Sequence, residues 1–134
     1  MTHSIEKTLI VAAHPNKVWD VLTKADELAK WFHKPSSDLS AGQDYVMPGD
    51  DGHPLVWGHV HIADAPDMLS YSFSARPMGD LVTEVEWTLK LVEAGTRIHL
   101  IHKGFMEGSD PFGLLLAFDA GWEGHLSSLR ETTA

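Results

Sequence analysis

The sequence predicts an α+β domain in which a curved antiparallel sheet wraps around a long C-terminal helix. Three observations lead to this prediction. Apolar and polar residues alternate with a period of two from residue 44 to residue 103, as in half-buried strands. Two short segments after the first strand carry apolar residues at helical spacing, and so does one long segment at the C-terminus. A chain of 134 residues fits one domain, residues 1–134.

The N-terminal region predicts one strand and two short helices. Residues 4–12 mix apolar and polar side chains like a first strand. Pro15 suits the first position of a helix, because its missing N–H would have no partner there. That helix, PNKVWDVLT, is followed by a second, ADELAKWF, and residues 33–43 are expected to form a loop.

Five further strands are predicted between residues 44 and 103. DYVMP and LVWGHVHIAD flank the turn-rich segment GDDGH, which is typical of a hairpin. MLSYSFSA, LVTEVEWTLKL and TRIHLIHKGF follow with short turns between them, so consecutive strands should form an antiparallel meander. The apolar series of each strand is expected to face inward, and these series include Ile62 and Leu91.

The chain ends with a long predicted helix. Asp110 is a suitable N-cap and Pro111 a suitable first residue. An apolar stripe recurs every three or four residues, at Leu115, Phe118, Trp122, Leu126 and Leu129. Gly121 and Gly124 interrupt this helix, each at a cost of about 1 kcal/mol relative to alanine. Such glycines indicate either close backbone packing or a soft point in the helix.

Charge and composition exclude several classes of function. Ten Lys and Arg residues against 19 Asp and Glu residues give a net charge of −9, which repels phosphate backbones and anionic lipid. We therefore expect no nucleic-acid partner and no membrane insertion. The absence of cysteine excludes disulfides and thiol chemistry. The N-terminus lacks the features of a signal peptide, so a cytoplasmic location is expected.

Nine histidines make a metal site worth testing. His59 and His61 lie two apart, on the strand face opposite to its aliphatic residues, and should therefore point outward. The next strand presents serines to them, and His99 lies three strands away. Asp44 is the one further ligand that could come near. Zinc needs three or four converging ligands, so we predict no metal site and no cofactor.

His102 differs from the other histidines because it shares the inward face of its strand. One interpretation is a core histidine whose nitrogens are satisfied by protein groups or water. The other is a polar group aimed into a ligand cavity, with Tyr71 as a second polar contact. The candidate cavity residues are Trp31, Phe32, Tyr45, Tyr71, Phe73, Val85, Trp87, His102, Phe105, Phe118 and Trp122. These aromatic residues are also typical of a plain core.

The sequence resembles a known family over nearly its whole length. The resemblance rests on PNKVWDVLTKADELAKWF at 15–32, WGHV at 57–60, TEVEWTLKLVEAGTRIHLIHKGF at 83–105 and GWEGHLSSL at 121–129. These segments resemble START-like (SRPBCC) domains of the helix-grip fold, and in particular homologues of the activator of heat-shock protein 90 ATPase. The resemblance implies a six- or seven-stranded sheet that grips the C-terminal helix around an apolar cavity.

Three functions remain open at this point. The first is non-enzymatic binding of a hydrophobic small molecule, such as a lipid, a polyketide or another apolar metabolite. The second, implied by the family, is interaction with a chaperone in a stress-related role, for which outward Trp57, Val92 and Ile101 could supply contacts. The third is a cyclase or hydrolase that uses His102, although the sequence shows no inward carboxylate pair, no Ser–His–Asp arrangement and no Gly-rich phosphate loop. Either a monomer or a homodimer is compatible with the sequence.

Overall fold

The computed structural model describes residues 2–106 and 113–133 of the chain. This part contains six strands, three α-helices and a short 3-10 turn at Arg76–Met78. In chain order, the elements are β1 (Thr2–Val11), α1 (Pro15–Thr23), α2 (Ala25–Trp31), β2 (Asp44–Pro48), β3 (Pro54–Asp64), β4 (Met68–Ala75), β5 (Thr83–Val92), β6 (Gly95–Met106) and α3 (Gly113–Thr133). The predicted order of strands and helices is confirmed.

The six strands form one antiparallel sheet in the order β1-β6-β5-β4-β3-β2. Strands β2 to β6 pair consecutively, as expected when short turns join them. β1 pairs with β6, so the first and last strands of the chain are neighbours. The curved sheet and the long C-terminal helix confirm the predicted α+β helix-grip fold, with six strands rather than seven.

The two short helices lie between β1 and β2 and lead the chain towards α3. α1 begins at Pro15, as predicted, and the His14 side chain caps it by accepting a hydrogen bond of 3.2 Å from a backbone amide. α2 ends at Trp31, whose indole N–H donates to the Val21 carbonyl at 2.8 Å and ties the two helices together. Phe32 leaves the helical conformation, with φ −134° and ψ −117°.

The stripe of α3 faces the sheet, with buried side chains at Trp122, Leu126, Leu129 and Thr133. Lys7 of β1 forms salt bridges with Asp119 and Glu123, which fix the helix against the edge of the sheet. The predicted N-cap Asp110 and first residue Pro111 lie outside the described residues. Within the described ranges, no helix has the length and apolar character that a membrane span requires.

Two residues predicted to face inward are instead exposed. The pairing of β3 with β4 shifts between Val60 and Ile62, and the extra residue turns the rest of the strand over. Ile62 is consequently 43% exposed, although Val60 is buried. Leu91 is 61% exposed because it lies next to the last residue of β5, where the strand turns into its hairpin with β6. The predictions for Ile62 and Leu91 were wrong for these local reasons.

Candidate ligand pocket

A pocket of about 380 Å³ lies between the first half of α3, the end of α2 and the ends of β3 and β4. Its size falls within the range of small-molecule sites, which is roughly 300–1,000 Å³. Most of its lining is apolar and consists of Phe32, Leu55, Val56, Phe73, Ala75, Pro77, Leu114, Ala117, Phe118, Gly121 and Trp122. Two histidines, His33 and His125, complete the lining among the described residues.

The α3 face that borders the pocket carries two small residues, Ala117 and Gly121. Leu114, Ala117, Gly121 and His125 recur at three- and four-residue intervals and so share a helix face. A Cβ placed on Gly121 would have no neighbouring atom within 4 Å. This glycine therefore leaves open space, not a close helix–sheet contact, and the first of the two interpretations of Gly121 was wrong.

Aromatic rings form the inner wall of the pocket. Phe32 lies parallel to Trp122, with ring centroids 5.5 Å apart and an interplanar angle of 4°. Phe73 meets Phe118 edge to face, with ring centroids 6.2 Å apart, and its ring is tilted by 46° to that of Trp122 at 6.5 Å. Offset and edge-to-face packing of this kind fixes ring orientations. The wall is therefore rigid and apolar where a ligand would rest.

His102 lies behind this wall, in a chain of hydrogen bonds. The indole N–H of Trp122 donates to His102 Nδ1 at 2.9 Å. The hydroxyl of Thr83 donates to the Phe73 carbonyl at 2.7 Å, so it must accept the hydrogen bond of 2.7 Å that joins it to His102 Nε2. His102 is consequently neutral, with its proton on Nε2. Burial lowers the pKa of His102 from its ordinary value near 6.5 to about 3.

The structure divides the eleven predicted cavity residues into two groups. Four line the pocket, namely Phe32, Phe73, Phe118 and Trp122. The other seven are buried beside or behind it and are not among its lining, namely Trp31, Tyr45, Tyr71, Val85, Trp87, His102 and Phe105. Their polar atoms bond to the protein: the Tyr71 hydroxyl accepts from the Trp87 indole at 3.0 Å, and the Tyr45 hydroxyl donates to the Ser72 carbonyl at 2.7 Å.

His33 and His125 were not predicted from the sequence. Their rings lie 5.6 Å apart at an angle of 71°. His125 Nδ1 lies 3.1 Å from the Trp31 carbonyl, which can only accept, so Nδ1 carries the proton. Burial lowers the pKa of both histidines, and repulsion between the two protonated rings lowers the pKa of His33 further. One signal was available: His125 follows Gly121 by four residues, on the same helix face.

The outer face of the sheet carries the histidines that raised the question of a metal. His59 and His61 point outward, as predicted. His59 Nδ1 lies 2.7 Å from Asp44 Oδ1, and His61 Nε2 lies 3.0 Å from Glu84 Oε2. Across residues 2–106 and 113–133, no three histidine, aspartate or glutamate side chains are grouped so as to hold a metal ion. Two separate histidine–carboxylate pairs account for these side chains.

The chain matches the family model of the Activator of Hsp90 ATPase homolog 1-like proteins over residues 12–134. It belongs to this family. The match confirms the resemblance found in the sequence and covers most of the described structure. No curated protein sequence is significantly similar to the chain.

Several solved structures share the fold of this family member. MLL2253 from Mesorhizobium loti superposes with a TM-score of 0.86 at 21% identity, covering 97% of this chain and 96% of that chain. The Aha1 dimer from Colwellia psychrerythraea gives 0.80 at 21% identity, covering 98% and 96%. CalU16 from Micromonospora echinospora gives 0.77 at 24% identity, covering 99% and 76%. At these identities the likeness shows the fold alone.

Proposed function

We propose that this protein binds a hydrophobic small molecule in the pocket between α3 and the sheet. The observation that carries the proposal is the open space above Gly121, bordered by apolar side chains from the end of α2, from β3 and β4, and from α3. Burial of apolar ligand surface there is favourable by about 25 cal/mol per Å² removed from water. The rigid aromatic wall reduces the ordering cost of binding.

The predicted cavity residues take different parts in this proposal. Phe32, Phe73, Phe118 and Trp122 contact the ligand, since they line the pocket. His102 was predicted to touch the polar end of a ligand, and this stays a prediction. Because both of its ring nitrogens bond to protein groups, we propose that it acts by holding the Trp122 ring in place.

The test uses 2-methylnaphthalene as an apolar probe and two glycines of the same helix. Gly121→Leu places a side chain in the pocket, whereas Gly124→Leu adds one on α3 outside the pocket lining. A Cβ added at either glycine would meet no atom within 4 Å, so both variants should fold, with a gain in helix propensity of up to about 1 kcal/mol. In calorimetric titrations, we expect the wild-type protein and Gly124→Leu to bind the probe and Gly121→Leu not to bind it.

Two results would contradict the proposal. Binding of the probe to Gly121→Leu with wild-type affinity would place the ligand elsewhere. No binding of 2-methylnaphthalene to the wild-type protein would leave the pocket without the proposed role. Thermal melts of all three proteins verify that any loss of binding is not a loss of folding.

The family description supports a second candidate, a chaperone-associated role in the stress response. Its name refers to activation of the Hsp90 ATPase. The outward residues Trp57, Val92 and Ile101, each half-buried, stay the candidate contacts on this chain. ATPase assays of an Hsp90 with and without this protein test the candidate, and an unchanged rate would contradict it.

A further inference from the structure

The two histidines of the pocket give its apolar interior one polar end. His33 and His125 are the only side chains with polar atoms free to face a ligand among the described lining, because the Trp122 indole N–H is bonded to His102. An amphiphilic ligand would therefore place its polar group at these histidines. This inference rests on the proposed function and concerns the chemical class of the ligand.

The hydrogen bond to Trp31 fixes which nitrogen of His125 can bond to a ligand. His125 Nδ1 holds its proton against the Trp31 carbonyl, so a neutral His125 offers the ligand only the lone pair of Nε2. The neutral His33 ring has one N–H and one lone pair, and no hydrogen bond joins it to another described residue. The ring centroids lie 5.6 Å apart, so both rings lie within reach of one small polar group of a ligand.

We propose that this pair selects a neutral aromatic ligand bearing a hydroxyl group, a phenol. A hydroxyl donates to His125 Nε2 and accepts from His33, and so satisfies both rings. A carboxylate or a ketone only accepts, and would set its oxygen against the His125 lone pair.

Two further features favour the phenol over a carboxylate. Burial lowers the pKa of both histidines, so neither ring is expected to carry a compensating charge near neutral pH. The net charge of −9 also disfavours an anionic ligand. The aromatic part of the ligand is matched by the parallel Phe32 and Trp122 rings.

Three probes with the same two fused rings test the inference by calorimetry near pH 7.5: 2-methylnaphthalene, 2-naphthol and 2-naphthoate. We expect 2-naphthol to bind about tenfold more tightly than 2-methylnaphthalene, since it gains hydrogen bonds to two half-buried histidines. The anionic 2-naphthoate should bind at least about tenfold more weakly than 2-naphthol.

His33→Phe and His125→Phe assign the effect to the pair. Each should reduce the preference for 2-naphthol over 2-methylnaphthalene to about threefold or less, and this ratio within one variant cancels any general change in the pocket. His125→Phe also loses the bond to Trp31, whereas His33→Phe removes no hydrogen bond to a described residue and keeps the test valid if His125→Phe fails to fold. His61→Phe, on the outer sheet face, is the control and should keep the full preference.

The outcomes separate this inference from the proposed function. Equal affinity for 2-methylnaphthalene and 2-naphthol would overturn the inference and leave the hydrophobic pocket standing. Tightest binding of 2-naphthoate would overturn it in favour of a cationic carboxylate site. Failure of all three probes to bind would contradict the proposed function itself, and the inference with it. A preference for 2-naphthol that survives in both histidine variants would also overturn the assignment.

Discussion

Replacing His102 by leucine and Trp122 by phenylalanine, singly and together, would measure the hydrogen bond behind the aromatic wall. His102 is fully buried, and Trp122 is 2% exposed. His102→Leu roughly conserves volume but leaves the Trp122 indole N–H without an acceptor. Trp122→Phe keeps an aromatic ring but leaves His102 Nδ1 without a donor. The double variant removes both partners.

The magnitudes follow from burial of the two nitrogens. Leaving a buried donor or acceptor unpaired costs about 1–3 kcal/mol, whereas removing both partners avoids that cost. Each single substitution should therefore lower the free energy of unfolding by about 1–3 kcal/mol, with an added cavity cost for Trp122→Phe. The double variant should be less destabilised than the sum of the singles by about 1–2 kcal/mol.

The four proteins are compared by urea unfolding near neutral pH. The comparison requires that their m-values are equal. The cavity cost of Trp122→Phe is present both in the wild-type background and in the His102→Leu background, so it cancels in this double-mutant cycle. Additive effects, within about 0.5 kcal/mol, would refute the reasoning, because distant and independent sites behave in that way. In that case the Trp122–His102 bond could not be what fixes the pocket wall.

Three other measurements address separate parts of the structure. The contribution of His102 to the free energy of unfolding should be level above about pH 6.5 and fall as the pH drops towards 3, by up to about 1.4 kcal/mol per pH unit. The reason is that its pKa of about 3 lies below the unfolded value, so the unfolded chain takes up the proton first. Urea titrations at several pH values should show a shallower dependence of stability on pH in His102→Leu, and an unchanged dependence would contradict this. Removing divalent metal with EDTA should leave the melting midpoint unchanged, because His59 and His61 pair with carboxylates; recovery of a lowered midpoint with zinc would reveal a metal site. Gly58→Ala should destabilise by at least about 1–3 kcal/mol, since its Cβ would lie 2.0 Å from the Ser72 carbonyl oxygen; a variant as stable as wild type would show that β3 and β4 can separate at this point.

Local pattern predicted most of the fold. Alternation assigned Val56 and Val60 to the core because a strand buries one face, and helical spacing placed Trp122 and Leu126 there for the equivalent reason. The irregularity before Ile62 could not be predicted in this way. A single extra residue in one strand is set by pairing with its neighbour and leaves no mark on the alternation.

The candidate site was harder to predict from the sequence than the fold. The number of aromatic residues indicated a large apolar interior, yet periodicity could not distinguish the half-buried Phe118, which lines the pocket, from the buried ring of Trp87. His33 and His125 were missed because their meeting depends on contact between the end of α2 and α3. The hydrogen bond that records this contact joins residues 94 positions apart in the chain. Long-range contacts of this kind decide which side chains line a pocket.

A crystal structure with bound 2-bromonaphthalene would test the central claim most directly, because bromine is located by its anomalous scattering. We predict a bromine peak inside the pocket, in contact at about 4–4.5 Å with Phe73, Phe118 or the open position at Gly121. Peaks confined to the outer sheet face beside His61, with none between α3 and the sheet, would contradict the claim that this protein holds hydrophobic molecules in the pocket.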